Sequence, residues 1–121
     1  MKFLRLFFIY VVLVAGYGHA QTTLIVQEKV SVSRALAGHV NVGMAQEPAK
    51  GVTVELCGPD WQSVIASTKT DNDGYFSLKK PATGKLFYIR LSAPGINPSQ
   101  LRVRLQKHGP PELKIHLAIA T

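Results

Sequence analysis

Cysteine is almost absent from this chain of 121 residues: Cys57 stands alone, so no intramolecular disulfide can form and the fold must be held by its core. A free cysteine more often serves as a small buried hydrophobe than as a reactive group, and that is the role expected of Cys57. Charge is also sparse, at 17% of residues against 46% apolar ones, which excludes a disordered chain and fits one globular domain. No window of 12 or more residues carries a convincing helical period, which argues against α/β architectures. Catalytic signatures are missing as well: there is no Gly-x-Ser-x-Gly elbow, no His-Glu-x-x-His and no phosphate-binding glycine loop.

What is present begins with an export signal. Lys2 and Arg5 form a positive start, Phe3 to Ala15 are otherwise almost wholly apolar, and Gly18 and Ala20 are small residues before a cut. Residues 1–20 therefore read as a signal peptide, cleaved between Ala20 and Gln21. The alternative is an uncleaved anchor, but the apolar run is short for a span and Gly16, Gly18 and His19 interrupt it. The product is expected to be secreted or periplasmic, with no integral membrane span after cleavage.

Lys2 and Arg5 leave with the signal, so 12 basic and 7 acidic residues remain, a net charge of +5. Such a charge suits anionic partners such as acidic polysaccharide or lipid head groups, and export disfavours nucleic acid. The expected partner is a protein or glycan of the envelope or exterior.

From residue 35 onward, runs rich in Val, Ile, Leu and Phe recur about every ten residues, which is the spacing of a sandwich or barrel. Seven strands are predicted: Ala35 to Val42, Val52 to Cys57, Ser63 to Thr68, Tyr75 to Lys79, Leu86 to Ser92, Leu101 to Gln106 and Leu113 to Ile119. Leu101, Val103 and Leu105 alternate with Arg102 and Arg104, and Leu113, Ile115, Leu117 and Ile119 with Lys114 and His116, so one face is buried and the other wet. Phe87, Ile89 and Leu91 are assigned to the core. Residues 21–34 form an N-terminal lead or an extra edge strand. Between strands, Gly58-Pro59-Asp60, Asp71-Asn72-Asp73-Gly74, Pro94-Gly95 and Gly109-Pro110-Pro111 mark turns.

Ala37-Gly38-His39-Val40, Pro48-Ala49-Lys50-Gly51-Val52-Thr53-Val54, Thr70-Asp71-Asn72-Asp73-Gly74-Tyr75-Phe76-Ser77-Leu78 and Ser92-Ala93-Pro94-Gly95, read together, resemble the carboxypeptidase regulatory-like domain. The resemblance covers roughly residues 35 to 119. It implies an all-β, seven-stranded Greek-key sandwich of the transthyretin-like (prealbumin-like), immunoglobulin-like kind over residues 35–121. It also implies an accessory module without catalytic residues, so neither a catalytic site nor a cofactor is expected. The Asp71 to Gly74 turn reads as a tight hairpin that sets the register of two strands, with Phe76 and Leu78 entering the core.

Several residues invite chemistry. Asp71, Asn72 and Asp73 suggest calcium, but with Gly74 as the sixth position of an EF-hand, Lys69 and Lys80 occupy the first and twelfth, where acids belong; no metal site is expected. His39, His108 and His116 make a site only if two of them converge with a carboxylate. Arg90, Arg102, Arg104 and Lys114 take the wet phase of strands that the resemblance to a transthyretin-like sheet implies are neighbours; paired so, they form a basic face able to bind acidic ligands, against a plain solvated sheet face. Trp61 and Tyr88 are candidates for stacking on a sugar, which makes a carbohydrate-binding module one alternative, while Trp61 in its loop equally suits a residue that caps the end of the sandwich core. The resemblance supplies another, a hydrolase using His39 or His116 with an Arg, although the C-terminal Tyr-Arg-Gly-Ser of the transthyretin-like hydrolases is replaced by Leu117-Ala118-Ile119-Ala120-Thr121.

Overall fold

The computed structural model describes residues 22–120, and the expected signal peptide lies outside them. The described residues are all β, with no helix, and therefore none long and apolar enough to cross a membrane. Each of the seven predicted runs holds a strand. Three short strands, two of them in the 21–34 lead, bring the total to ten.

The larger sheet contains β1 (Ile25–Val26), β2 (Ser31–Ser33), β5 (Thr53–Cys57), β6 (Val64–Lys69), β8 (Leu86–Ser92) and β9 (Ser99–Leu105). Its order is β1-β9-β8-β5-β6, with β2 also on β9. The smaller sheet is built on β3 (Ala37–Val42), which pairs β10 (Leu113–Leu117) in parallel on one side. On the other side it takes β4 (Glu47–Pro48) and β7 (Tyr75–Ser77), both antiparallel.

Strict alternation explains why these segments pair and stack. In β10 the pattern is buried-exposed throughout, and in β8 Phe87, Ile89 and Leu91 are buried between half-exposed neighbours. Val54, Leu56, Ile89, Leu91 and Val103 of the larger sheet meet Val40, Phe76 and Leu117 of the smaller one in a single sandwich core. Each such side chain contributes about 1.5–3 kcal/mol. Ile119, which the alternation assigns to this face, is exposed, because β10 ends at Leu117 and only an isolated bridge to Ile96 follows.

The lead is an edge. β1 and β2 both run parallel to β9, matched Ile25 to Ser99 and Ser31 to Val103, so six steps of lead span four steps of β9. Two surplus residues bulge out between the two strands, and Arg102 donates from Nη2 to the Glu28 carbonyl inside that bulge.

The Asp71–Gly74 turn differs from the hairpin reading. β6 pairs β5 in the larger sheet and β7 pairs β3 in the smaller, so the turn carries the chain from one layer to the other. Asp71 organises it: its Oδ1 accepts from the backbone N–H of Asp73 and of Tyr75, both at 2.9 Å. Thr70 beside it is buried, and its hydroxyl accepts from Val52 N at 2.8 Å and donates to the Ala49 carbonyl, tying the turn to the β4–β5 connection.

Candidate functional site

On the outer face of the larger sheet, register sets three rows across β5, β8 and β9. Glu55, Arg90 and Gln100 form one, Cys57, Tyr88 and Arg102 the next, and Leu86 and Arg104 the third. Arg90, Arg102 and Arg104 thus share a face. Lys114 does not join them, because β10 belongs to the other sheet, where Lys114 stands beside His39. The alternation that put all four in the wet phase carries no information on which sheet a strand enters.

The three arginines are also unequal. Arg90 Nε lies 2.9 Å from Glu55 Oε1 in a partly buried ion pair, and its Nη1 donates to the Trp61 carbonyl at 3.0 Å. Arg102 holds the lead through Glu28. Arg104 is exposed and, among the described residues, in no ion pair.

Trp61 occupies a constrained corner. Its φ is +65°, a left-handed backbone that a bulky side chain adopts only when its surroundings impose it. They do so here from several sides: its N–H donates to the Gly58 carbonyl at 2.9 Å, Gln62 N donates to Asp60 Oδ1 at 2.9 Å, and Arg90 takes its carbonyl. The indole then stands edge-on to Tyr88, with ring centroids 5.5 Å apart and planes at 89°.

Cys57 is the register partner of Tyr88 and so belongs to this outer face, yet it is buried. A bulge between Leu56 and Cys57 in the pairing with β6 shifts the register there, leaving Ile65 as the surplus residue. Burial pushes the Cys57 thiol up, the nearby Arg90 charge pulls it partly back, and Glu55 and Asp60 add to the rise.

The smaller sheet carries a second polar group. His39 Nδ1 contacts the Glu112 carboxylate, and its ring lies 5.2 Å from that of Tyr75. His116 Nδ1 donates to Asn41 Oδ1 at 2.5 Å. His39 and His116 therefore share one outer face on adjacent strands, while His108 sits in the loop after β9. None of the three arginines above shares their face. Among the described residues no group of three potential metal ligands comes together.

No protein-family model and no curated protein matches the chain in sequence. The Glu55–Arg90–Trp61 linkage escaped sequence reasoning, although its signal was there: an acid and a base, both in the wet phase of strands that turned out to be neighbours. The positive φ of Trp61 has no such signal, since Trp is not a residue that favours it.

Proposed function

We propose that the chain is a non-catalytic binding module of the carboxypeptidase regulatory-like, transthyretin-like kind, exported by a signal peptide at residues 1–20 to the periplasm or the exterior. Its recognition surface is the Trp61–Tyr88 corner with Arg90 and Arg102 beside it, and the ligand class is a glycan. One observation carries this reading: Trp61 is held at φ +65° by an ion-paired arginine. Strain of this sort costs about 1–3 kcal/mol and concentrates at ligand clamps and active sites. A half-exposed indole fixed in one pose is suited to stacking on the apolar face of a sugar ring. The layout of the Thr70–Leu78 segment, with Asp71 turned into its own loop and Phe76 and Leu78 buried, supports a structural role for the motif that carries the family resemblance.

The test is a glycan array probed with the wild-type protein and Trp61→Ala. Binding to a defined glycan that the variant loses supports the reading. An array without hits, or hits that Trp61→Ala retains, removes glycan recognition at this corner.

A second reading, a hydrolase using His39 or His116, is favoured by the contact between Glu112 and His39 Nδ1, which resembles the pairing of a catalytic base with its orienting carboxylate. A hydrolytic activity unchanged in a His39→Ala, His116→Ala double variant would dismiss it.

A further inference from the structure

We infer that the end of the sandwich below β9 is an anion-binding cleft that takes clustered phosphate groups. A cavity of about 760 Å³ opens there, within the roughly 300–1,000 Å³ range of small-molecule sites. Arg34, Lys80, Lys85, Arg104, Lys107 and His108 line it, and no Asp or Glu does. Five of the 12 Lys and Arg residues in 21–121 meet in this one concavity. All five are exposed, and among the described residues none is in an ion pair.

The charge has a cause in the sequence. From Gly74 to Pro111 there is no acidic residue, while Lys79, Lys80, Lys85, Arg90, Arg102, Arg104 and Lys107 fall in that stretch. Arg90 is turned away to Glu55 and Arg102 to the lead, and the fold gathers most of the rest at one end. Arg34 joins them from the β2–β3 connection.

Backbone bonds hold the three contributing segments together. Leu105 N donates to the Lys85 carbonyl at 2.9 Å, Gln106 N to the Ser33 carbonyl at 2.9 Å, and Arg34 N to the Pro110 carbonyl at 2.8 Å. Arg34, Lys85, Arg104 and Lys107 are therefore mounted on bonded backbone or directly beside it, and Lys80 joins them from the loop before Lys85. A concave surface lined by one sign of charge focuses its field and raises the local concentration of counter-ions.

The ligand class follows from charge and donor geometry. A single carboxylate neutralises one of five cations, whereas each phosphate monoester brings about −1.5 to −2 and three acceptor oxygens, so about three phosphates balance the cleft. Arg34 and Arg104 supply planar forks for bidentate contact, and the lysines supply mobile point charges. Such phosphates can come from a soluble polyphosphorylated molecule or from the head groups of an anionic lipid surface. The inference uses none of the Trp61 corner and stands if glycan recognition there fails.

The experiment is calorimetric titration of the purified protein, as processed by the exporting cell, with inorganic triphosphate at fixed ionic strength. Saturable binding is expected, weakened at least about ten-fold in a Lys85→Glu, Arg104→Glu variant. A Lys50→Glu, Lys69→Glu variant changes net charge equally at the opposite end of the sandwich and should stay within about two-fold of wild type. Circular dichroism verifies that both variants fold. Co-sedimentation with vesicles of phosphatidylcholine plus phosphatidic acid, whose head group is a phosphate monoester, against phosphatidylcholine alone, separates the sources: triphosphate binding without vesicle binding assigns a soluble ligand, and binding to both with the same sensitivity to the cleft variant assigns a lipid surface. No saturable triphosphate binding, or an equal loss in both charge variants, overturns the inference.

Discussion

Arg90 reaches across from the middle of β8 to the carbonyl of Trp61, and in doing so fixes the single tryptophan of the chain against Tyr88. The same guanidinium is paired with Glu55, so one side chain joins a strand, its neighbour and a strained loop. The ion pair is about three-quarters buried, and hydrogen bonds to charged groups in such places are worth more than exposed surface pairs.

Arg90→Ala should therefore lower stability by about 2 kcal/mol and release the indole. Because Trp61 is the only tryptophan, its fluorescence reports this directly: a red-shifted emission in the folded variant and a lower urea midpoint. Arg90→Lys keeps the charge but lacks the fork, so it should recover only part of the loss. An unchanged emission spectrum in Arg90→Ala would mean that the loop holds Trp61 without it.

Cys57 gives the same corner a pH dependence. Its thiol is raised above the ordinary value of 9.0 by burial, so above that value the unfolded chain releases a proton that the folded chain keeps. The folded state then binds more protons, and stability falls as pH rises through this range, being fully present below it. Urea unfolding of wild type and Cys57→Ala, followed from neutral pH to above 9.0, should show the wild type losing stability relative to the variant. A difference independent of pH would refute the assignment. In the native protein the thiol should also resist aromatic disulfide reagents until denaturant is added.

How far the sequence discloses this architecture depends on the scale of the question. The period-2 alternation of Leu113 to Leu117 and of Phe87 to Leu91 is visible because each strand buries one face, and both segments fold as that pattern requires. The strands β1, β2 and β4 span two or three residues, too few for any period, and β4 contains Pro48, tolerated there because it has a neighbour on one side only. Sheet membership is a long-range property. It separates Lys114 from Arg90, places His39 beside Lys114, and turns the Asp71–Gly74 segment into a crossing between layers. The basic cleft is a case where local composition was informative, since an acid-free stretch with seven cations must place them somewhere, but only the fold selects the end at which five meet with Arg34 among them.

Thr70 should prove essential to the crossing. Replacing it by the nearly isosteric valine leaves the Val52 N–H and the Ala49 carbonyl without their partner in a buried place. At about 1–3 kcal/mol for each orphaned group, Thr70→Val is expected to cost about 3 kcal/mol, whereas Thr70→Ser, which keeps the hydroxyl, should cost about 1. Equal losses for the two variants in urea unfolding would show that the methyl group, not the hydroxyl, matters.

Two glycines separate the effect of close backbone approach from that of backbone sign. At Gly95 φ is +76° and a Cβ would meet nothing within 4 Å, so Gly95→Ala pays only the left-handed penalty, about 1–2 kcal/mol. At Gly38 no positive φ is involved, but a Cβ would lie 2.2 Å from the Leu113 carbonyl oxygen and 2.8 Å from the Leu113 Cβ. Gly38 is the register partner of Leu113, at the start of the parallel pairing of β3 with β10, and neither contact is the free end of a flexible chain. Alanine there must push the two strands apart, which forfeits ladder hydrogen bonds and exposes Ile115 and Leu117 of the core. Gly38→Ala should thus cost more than about 3 kcal/mol, exceed Gly95→Ala in urea unfolding, and raise hydrogen exchange selectively along Leu113–Leu117. Comparable losses at the two positions would show that β10 yields to the added methyl and that the tight packing of these two strands is not what holds the smaller sheet together.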